Sequence, residues 1–319
     1  MRTVQRDSAD RAQAARPARR RRPQMRTAPY VFLFPAAVFF VAFLLLPILY
    51  ALWLSFRDER VRGAGIVSVR EEVFVGLSNY ASSLSDSELW ASLGRMLVYG
   101  VLVVPTMLGL ALLFALILDS PRVRMRSFGR LAIFLPYAVP GVIATLLWGF
   151  MYLPNVSPIR AAVEQVGLPP PDFFTPTTVF FSVANIAVWG GIGFNMIVLY
   201  TALRALPSEL YDSARLDGCS ERQIALRIKI PLLTPALVMT GIFSLIATLQ
   251  VFNEPQTLSP LTNVISSTWM PLMKVYNDAF VTNEIYAAAA TSVLLAVASL
   301  VISLGVLSFL QSRAFGEDR

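Results

Sequence analysis

Charged side chains in this chain gather in short clusters, and the stretches between them are uncharged and apolar. Six such stretches, 29–56, 96–118, 131–153, 177–203, 230–253 and 285–312, contain no Asp, Glu, Lys or Arg. Each is long enough to cross about 30 Å of hydrocarbon as a helix. Each is continuously apolar rather than alternating, which favours helices over barrel strands. Proline-containing loops bound the third and the fifth, as helix ends often are. The pattern predicts an all-α membrane protein with six transmembrane helices in one domain over 28–315. A disordered basic arm over 1–27 precedes it and a tail over 316–319 follows.

Composition agrees with the pattern. Of the 319 residues, 55% are hydrophobic and 15% charged, against about 25% charged in soluble proteins. The net charge of +7 invites a nucleic-acid reading, but its distribution argues otherwise. Twenty of the 27 Lys and Arg lie in the N-terminal arm, in 120–130, in 204–229 and from Arg313 to the C-terminal end, and seven lie in the alternate connections. That bias places both termini and the 204–229 connection in the cytoplasm, and makes the basic balance a topology signal. The first apolar run is too long for a signal peptide and no small-residue cleavage site closes it. The Arg19–Arg22 cluster sets topology, with contact to anionic head groups as the alternative.

The residue inventory removes whole classes of chemistry. There is no His, and Cys219 is the single cysteine, so no intrachain disulfide, Ser–His or Cys–His pair, or His/Cys metal site can form. Lys229 and Lys274 are the two lysines, and neither follows a glycine as a phosphate-binding loop requires. Ion-driven carriers place carboxylates or His within their spans. Here the spans hold none, and Glu254 stands just past the fifth. The chain is expected to be no enzyme, to bind no cofactor and no metal, and to draw any energy from a partner.

The stretch Asp212–Pro231 holds seven charged residues among twenty, between two uncharged runs. Pro207 suits the first turn of a short helix. Leu206, Leu210 and Ala214 recur at i, i+4 and i+8 and make one apolar stripe. Gly218 ends that helix at a C′ position. Ser220 to Gln223 reads as a capping box opening a second helix, with Ile224 and Ile228 on its apolar side and Pro231 at the junction with the fifth span. The expectation is a helix–Gly–helix whose ridge buries in the lipid interface, in the rest of the chain, or in a partner's groove.

The same residues resemble the EAA loop of binding-protein-dependent ABC importer permeases, E-A-A-x3-G-x9-I-x-L-P. Asp212-Ser213-Ala214, Gly218 and Ile228-Lys229-Ile230-Pro231 reproduce every spacing, with Asp for Glu, Ser for Ala and Ile for Leu. Leu206-Pro207-Ser208-Glu209-Leu210, "QVFNEP" from Gln250 to Pro255, "FLPYAVPGVIATLLWGFMY" and "NIAVWGGIGFNMIVLYTAL" are similar to the sugar-permease branch, and the likeness extends over about 28–315. It implies a permease subunit of a bacterial-type plasma (inner) membrane importer for a sugar or oligosaccharide. It implies a second permease subunit of different sequence, two ATP-binding subunits that carry ATP and Mg, and an extracytoplasmic solute-binding protein. Glu209, Asp212, Ser213, Ala214, Gly218, Ile228 and Pro231 would form the cytoplasmic coupling loop, within 206–230. A permease for another solute and an energy-independent channel are the alternatives.

Sugars are held by planar hydrogen-bonding groups and by aromatic rings under their apolar face. Trp189, Gly191, Phe194 and Asn195 in the fourth span are candidates, with helix packing through Gly190-Gly191-x-Gly193 as the competing reading. Gln250, Phe252, Asn253 and Glu254 are candidates at the end of the fifth, with a solvated loop start as the competitor. Trp53 and Trp148 read as interface anchors or core.

Overall fold

The computed structural model describes residues 28–62 and 69–314. The basic arm over 1–27 and the tail over 316–319 lie outside the described residues. The chain divides into a unit ending at Tyr50 and a unit from Ala51 onward. The first apolar stretch is helical as α1 (Ala28–Phe40), a π turn (Val41–Leu45) and α2 (Leu46–Ser55). Pro47 supplies no N–H, and its ring crowds the carbonyl one turn earlier; the wider turn beside it relieves the clash.

Beyond it, β1 (Arg57–Arg62) and β2 (Val69–Phe74) pair antiparallel, with Arg57 opposite Phe74 and Arg62 opposite Val69. Nothing in the apolar pattern announces this hairpin, which adds a small sheet outside the spans. Then come α3 (Ser78–Ser85) and α4 (Ser87–Asp119). Asp86 caps α4, its carboxylate accepting from the Glu88 N–H at 2.8 Å. At 33 residues α4 exceeds the uncharged run 96–118, because Glu88 and Arg95 extend it past the apolar part.

The third apolar stretch is not one straight span. It runs as α5 (Arg126–Phe134), a 3₁₀ turn (Leu135–Ala138) and α6 (Gly141–Tyr152), and the two halves bend by 95°. Pro136 and Pro140 break the helical ladder there. After α7 (Pro158–Gln165) comes the straight α8 (Thr178–Ala205), then α9 (Glu209–Leu216). The following α10 (Glu221–Ile224) passes through a π turn (Ala225–Lys229) into α11 (Ile230–Leu232). That π turn again lies just ahead of a proline, Pro231. The fifth span is α12 (Thr234–Leu249), bent 66° from α10–α11 and ending before Gln250. The chain closes with α13 (Asn253–Leu258), α14 (Pro271–Phe280) and α15 (Ile285–Ala314). Among the described residues four helices are long and apolar enough to cross a membrane, and six spans result if each bent pair counts as one.

The bundle from Ala51 onward is organised around α4 and α8, which run along each other, with α12 against both and α15 against α12 and α14. In lipid, apolar surface alone gives helices little reason to associate, so close packing of small residues carries more of the burden. Ala111 and Ala115 of α4 are fully buried, beside Met196, Leu199 and Leu203 of α8. Gly193 of α8 seats the bent third stretch: a Cβ there would stand 2.5 Å from the Ile133 carbonyl oxygen and 2.7 Å from the Phe134 Cα. Gly190, one turn away, faces open space. Gly193→Ala is therefore expected to cost about 1–3 kcal/mol in thermal unfolding of the purified chain in detergent. Gly190→Ala should unfold like the parent, and equal stability of the two variants would remove the seat.

Candidate functional site

A cavity of about 500 Å³ opens between α4, α6, α8, α12 and the turn into α13. Helical periodicity builds its walls. Tyr99, Val103 and Met107 recur every four residues on α4, and Ser244, Ala247, Thr248 and Val251 mark one face of α12 and its end. Gly191, Phe194, Asn195, Gln250, Phe252, Asn253 and Glu254 all line it. Trp189 is not among the lining residues; it meets Trp148 edge-on with ring centres 5.9 Å apart.

The lining side chains differ in what they can offer a solute. Phe194 and Tyr137 stack at 5.3 Å with an interplanar angle of 24°, and both rings are partly exposed. They present a flat aromatic surface. Asn195 is buried, its amide donating to the Gly191 carbonyl at 3.0 Å and its oxygen accepting from Ser244 at 3.4 Å, so it braces α8 against α12. At Gly191 an added Cβ would run into the Met107 sulfur, so helix packing and access to the cavity both depend on this glycine. Glu254 carries the only formal charge among the lining residues. Tyr99, Tyr137, Ser244 and Thr248 escape the sequence reading. Ser244 and Thr248, four apart in an apolar run, are the signal that was available; Tyr137 reaches the cavity only through the bend.

At one end of the bundle lies the 206–230 segment. α9 ends in a Schellman motif: the Cys219 N–H donates to the Ala214 carbonyl at 2.9 Å and the Gly218 N–H to the Arg215 carbonyl at 3.0 Å. Gly218 takes φ +80°, a left-handed value that suits glycine. Ser220 and Gln223 form the reciprocal capping box. Arg215 spans the turn, donating to Asp212 at 2.8 Å and Glu221 at 2.9 Å. The apolar stripe is placed differently from the expected one. Tyr211 and Ala214, with Leu206, Ile224 and Ile228, form the inner face, while Leu210 and Leu216 point outward at 44% and 90% exposure. Glu209, Asp212, Ser213, Gly218 and Pro231 are exposed.

A buried ion pair joins this segment to α4. The Lys229 ammonium donates to Asp119 at 2.5 Å, both side chains only 6% exposed, and sits 4.7 Å from the centre of the Tyr211 ring. Arg204 approaches Asp119 at 4.0 Å from the exposed side. Burial pushes the Tyr211 phenol above its usual pKa, and the Asp119 charge adds to the shift. The sequence singles out Lys229 but not its partner, because Asp119 lies 110 residues away.

At the opposite end of α4, Arg95 donates to the Trp269 and Thr268 carbonyls at 2.7 and 3.1 Å. Lys274 pairs with Asp86 and Asp278, each at 2.7 Å. Burial disfavours the Lys274 charge, but the two carboxylates outweigh it and raise its pKa.

The comparisons with known proteins fit this arrangement. The family model for binding-protein-dependent transport system inner membrane components matches residues 85–316. The chain belongs to that family. This permease is 30% identical over 94% of its length to the whole of a probable ABC transporter permease protein of Pyrococcus horikoshii. It is 30% identical to the trehalose/maltose transport system permease protein of Thermococcus litoralis, over 70% of this chain and 74% of that one. A bacterial ABC transporter that imports the acidic polysaccharide alginate shares the fold, with a TM-score of 0.76 over 92% of this chain and 96% of that one, at 19% identity.

Leaving one buried charge unpaired costs about 3–5 kcal/mol, while replacing both partners with apolar groups is often near neutral. Asp119→Asn should therefore destabilise the permease strongly. Lys229→Met should do so less, since Arg204 can turn to Asp119, and the double variant should recover most of the loss. A double-mutant cycle on thermal unfolding reads this; additive losses would mean the pair is not coupled.

Proposed function

We propose that this permease carries a neutral sugar or oligosaccharide across the membrane as one subunit of an ATP-driven importer. The observation that carries the reading is the cavity: a stacked aromatic surface beside the Gln250, Asn253 and Glu254 side chains. A sugar ring lays its apolar face on such a surface and offers its hydroxyls to amides and carboxylate. An acidic saccharide such as alginate suits the wall poorly, because its one formal charge is negative. The trehalose/maltose relative supports the same substrate class.

The supply of energy follows from the other end of the bundle. The exposed face of α9, with Leu210 and Leu216, is read as docking on an ATP-binding subunit that hydrolyses ATP with Mg. The full assembly holds a second permease subunit, two ATP-binding subunits and an extracytoplasmic solute-binding protein. The excess of Lys and Arg in 120–130 and 204–229 supports a cytoplasmic position for the loop.

Two experiments test the reading. A carboxylate makes a hydrogen bond worth about 1.5–3 kcal/mol, a neutral group about 0.5–1.5. Glu254→Gln should therefore weaken apparent sugar affinity about fivefold and Glu254→Ala more, with ATP hydrolysis in the absence of sugar unchanged. Altered basal hydrolysis would instead make Glu254 a gate contact, and wild-type transport by both variants would exclude it from the pathway. Separately, Cys219 should resist a membrane-impermeant maleimide in intact cells and react in inside-out vesicles stripped of ATP-binding subunits. Labelling from outside would reverse the topology.

A further inference from the structure

Beside the Asp119–Lys229 pair a second cavity, of about 280 Å³, opens between the ends of α4 and α8, the start of α5 and the inner face of α9. Its walls hold four cations and one carboxylate. Two of the cations are already matched: Lys229 by Asp119, and Arg215 by Asp212 and Glu221. Arg126 and Arg204 remain. The Arg126 guanidinium donates to the Ser120 carbonyl at 3.0 Å, but its buried Nε has no partner among the described residues. Among the described residues Arg204 has only the 4.0 Å approach to an Asp119 that Lys229 already holds. The Tyr211 hydroxyl is buried in a residue 9% exposed, lines the same cavity and has no hydrogen-bond partner among the described residues.

Two guanidinium groups and an idle phenol facing one cavity suit an oxyanion with several acceptor atoms. A guanidinium fork matches phosphate oxygens two at a time. The surroundings favour a phosphate over a protein carboxylate. On the helix that carries Arg126 and at its N-cap, Met125, Phe128 and Leu131 are exposed at 69%, 64% and 61%, an apolar surface on the same element as the cation. An amphiphile with an anionic head meets both demands, and basic pockets between spans are suited to anionic head groups. We propose that this cavity binds a phosphate group through Arg126, Arg204 and the Tyr211 hydroxyl, supplied by an anionic phospholipid or by a soluble phosphate ester. Because Tyr211 lies on α9 and Lys229 ends the π turn after α10, an occupied site would stiffen the junction between the 206–230 segment and α4.

The test uses the assembled transporter in neutral detergent. Native mass spectrometry measures retention of phosphatidylglycerol against phosphatidylcholine, and thermal unfolding measures stabilisation by inorganic phosphate against chloride at equal ionic strength. Preferential retention of phosphatidylglycerol is expected, falling about fivefold for each of Arg126→Gln and Arg204→Gln. Tyr211→Phe keeps the ring over Lys229 and should lower retention by a smaller factor. Arg204 is 59% exposed, so its replacement tests binding without threatening the fold. Stabilisation by inorganic phosphate with the same arginine dependence, and no lipid preference, would assign the site to a soluble ester. The proposal falls if neither ligand binds, or if binding survives in Arg126→Gln/Arg204→Gln. It also falls if that variant sheds its ATP-binding subunits while the parent shows no phosphate or lipid preference, since the arginines would then serve a protein interface.

Discussion

The buried pair of Asp119 and Lys229 makes the span bundle and the charged loop one mechanical body. An eight-residue helix such as α9 is too short to hold itself together in water. Its order comes from what surrounds it: the Schellman turn at Gly218, the capping box, the Arg215 bridge, and the packing of Tyr211 over Lys229. Lys229 in turn is tied to the last residue of α4. A buried ion pair contributes little net stability but punishes any arrangement that separates its partners. Displacing α9 therefore means displacing α4 with it, or exposing two charges.

That constraint reaches the cavity. Met107 lies twelve residues back along α4 from Asp119, about 18 Å at helical rise, and lines the cavity with Val103 and Tyr99. The same helix is fastened at its far end by Arg95 and by the Lys274 cluster beside Asp86. α4 thus runs as a continuous rod between the loop that is proposed to receive force and the cavity that is proposed to hold sugar. Gly191 and Ala111 keep α8 close enough to move with it.

Much of this was legible in the chain, and the remainder has identifiable reasons. Uncharged runs fix the number of apolar stretches because water-seeking side chains cannot sit in hydrocarbon. Gly218 and Ser220 mark the loop because their backbone demands are local. The 95° bend of the third stretch is written in Pro136 and Pro140, yet its direction depends on Gly193, a tertiary contact. Tyr137 enters the cavity only as a consequence. The stripe of Leu206, Leu210 and Ala214 assumed one continuous helix. Because α9 begins at Glu209, Leu206 packs from the preceding turn and the larger Tyr211 takes the inner position, which turns Leu210 outward. Asp119 with Lys229 is visible only once distant segments meet.

The outward turn of Leu210 and Leu216 leaves two large apolar side chains on an exposed helix face that the proposed mechanism assigns to an ATP-binding subunit. Site-specific cross-linking tests that assignment most directly. In a Cys219→Ser background, Leu216→Cys in the assembled transporter should cross-link to a cysteine in a surface groove of the ATP-binding subunit, with a yield that changes through the ATP cycle. Failure to cross-link to any ATP-binding subunit, in a complex that still transports, would contradict the coupling role of the loop.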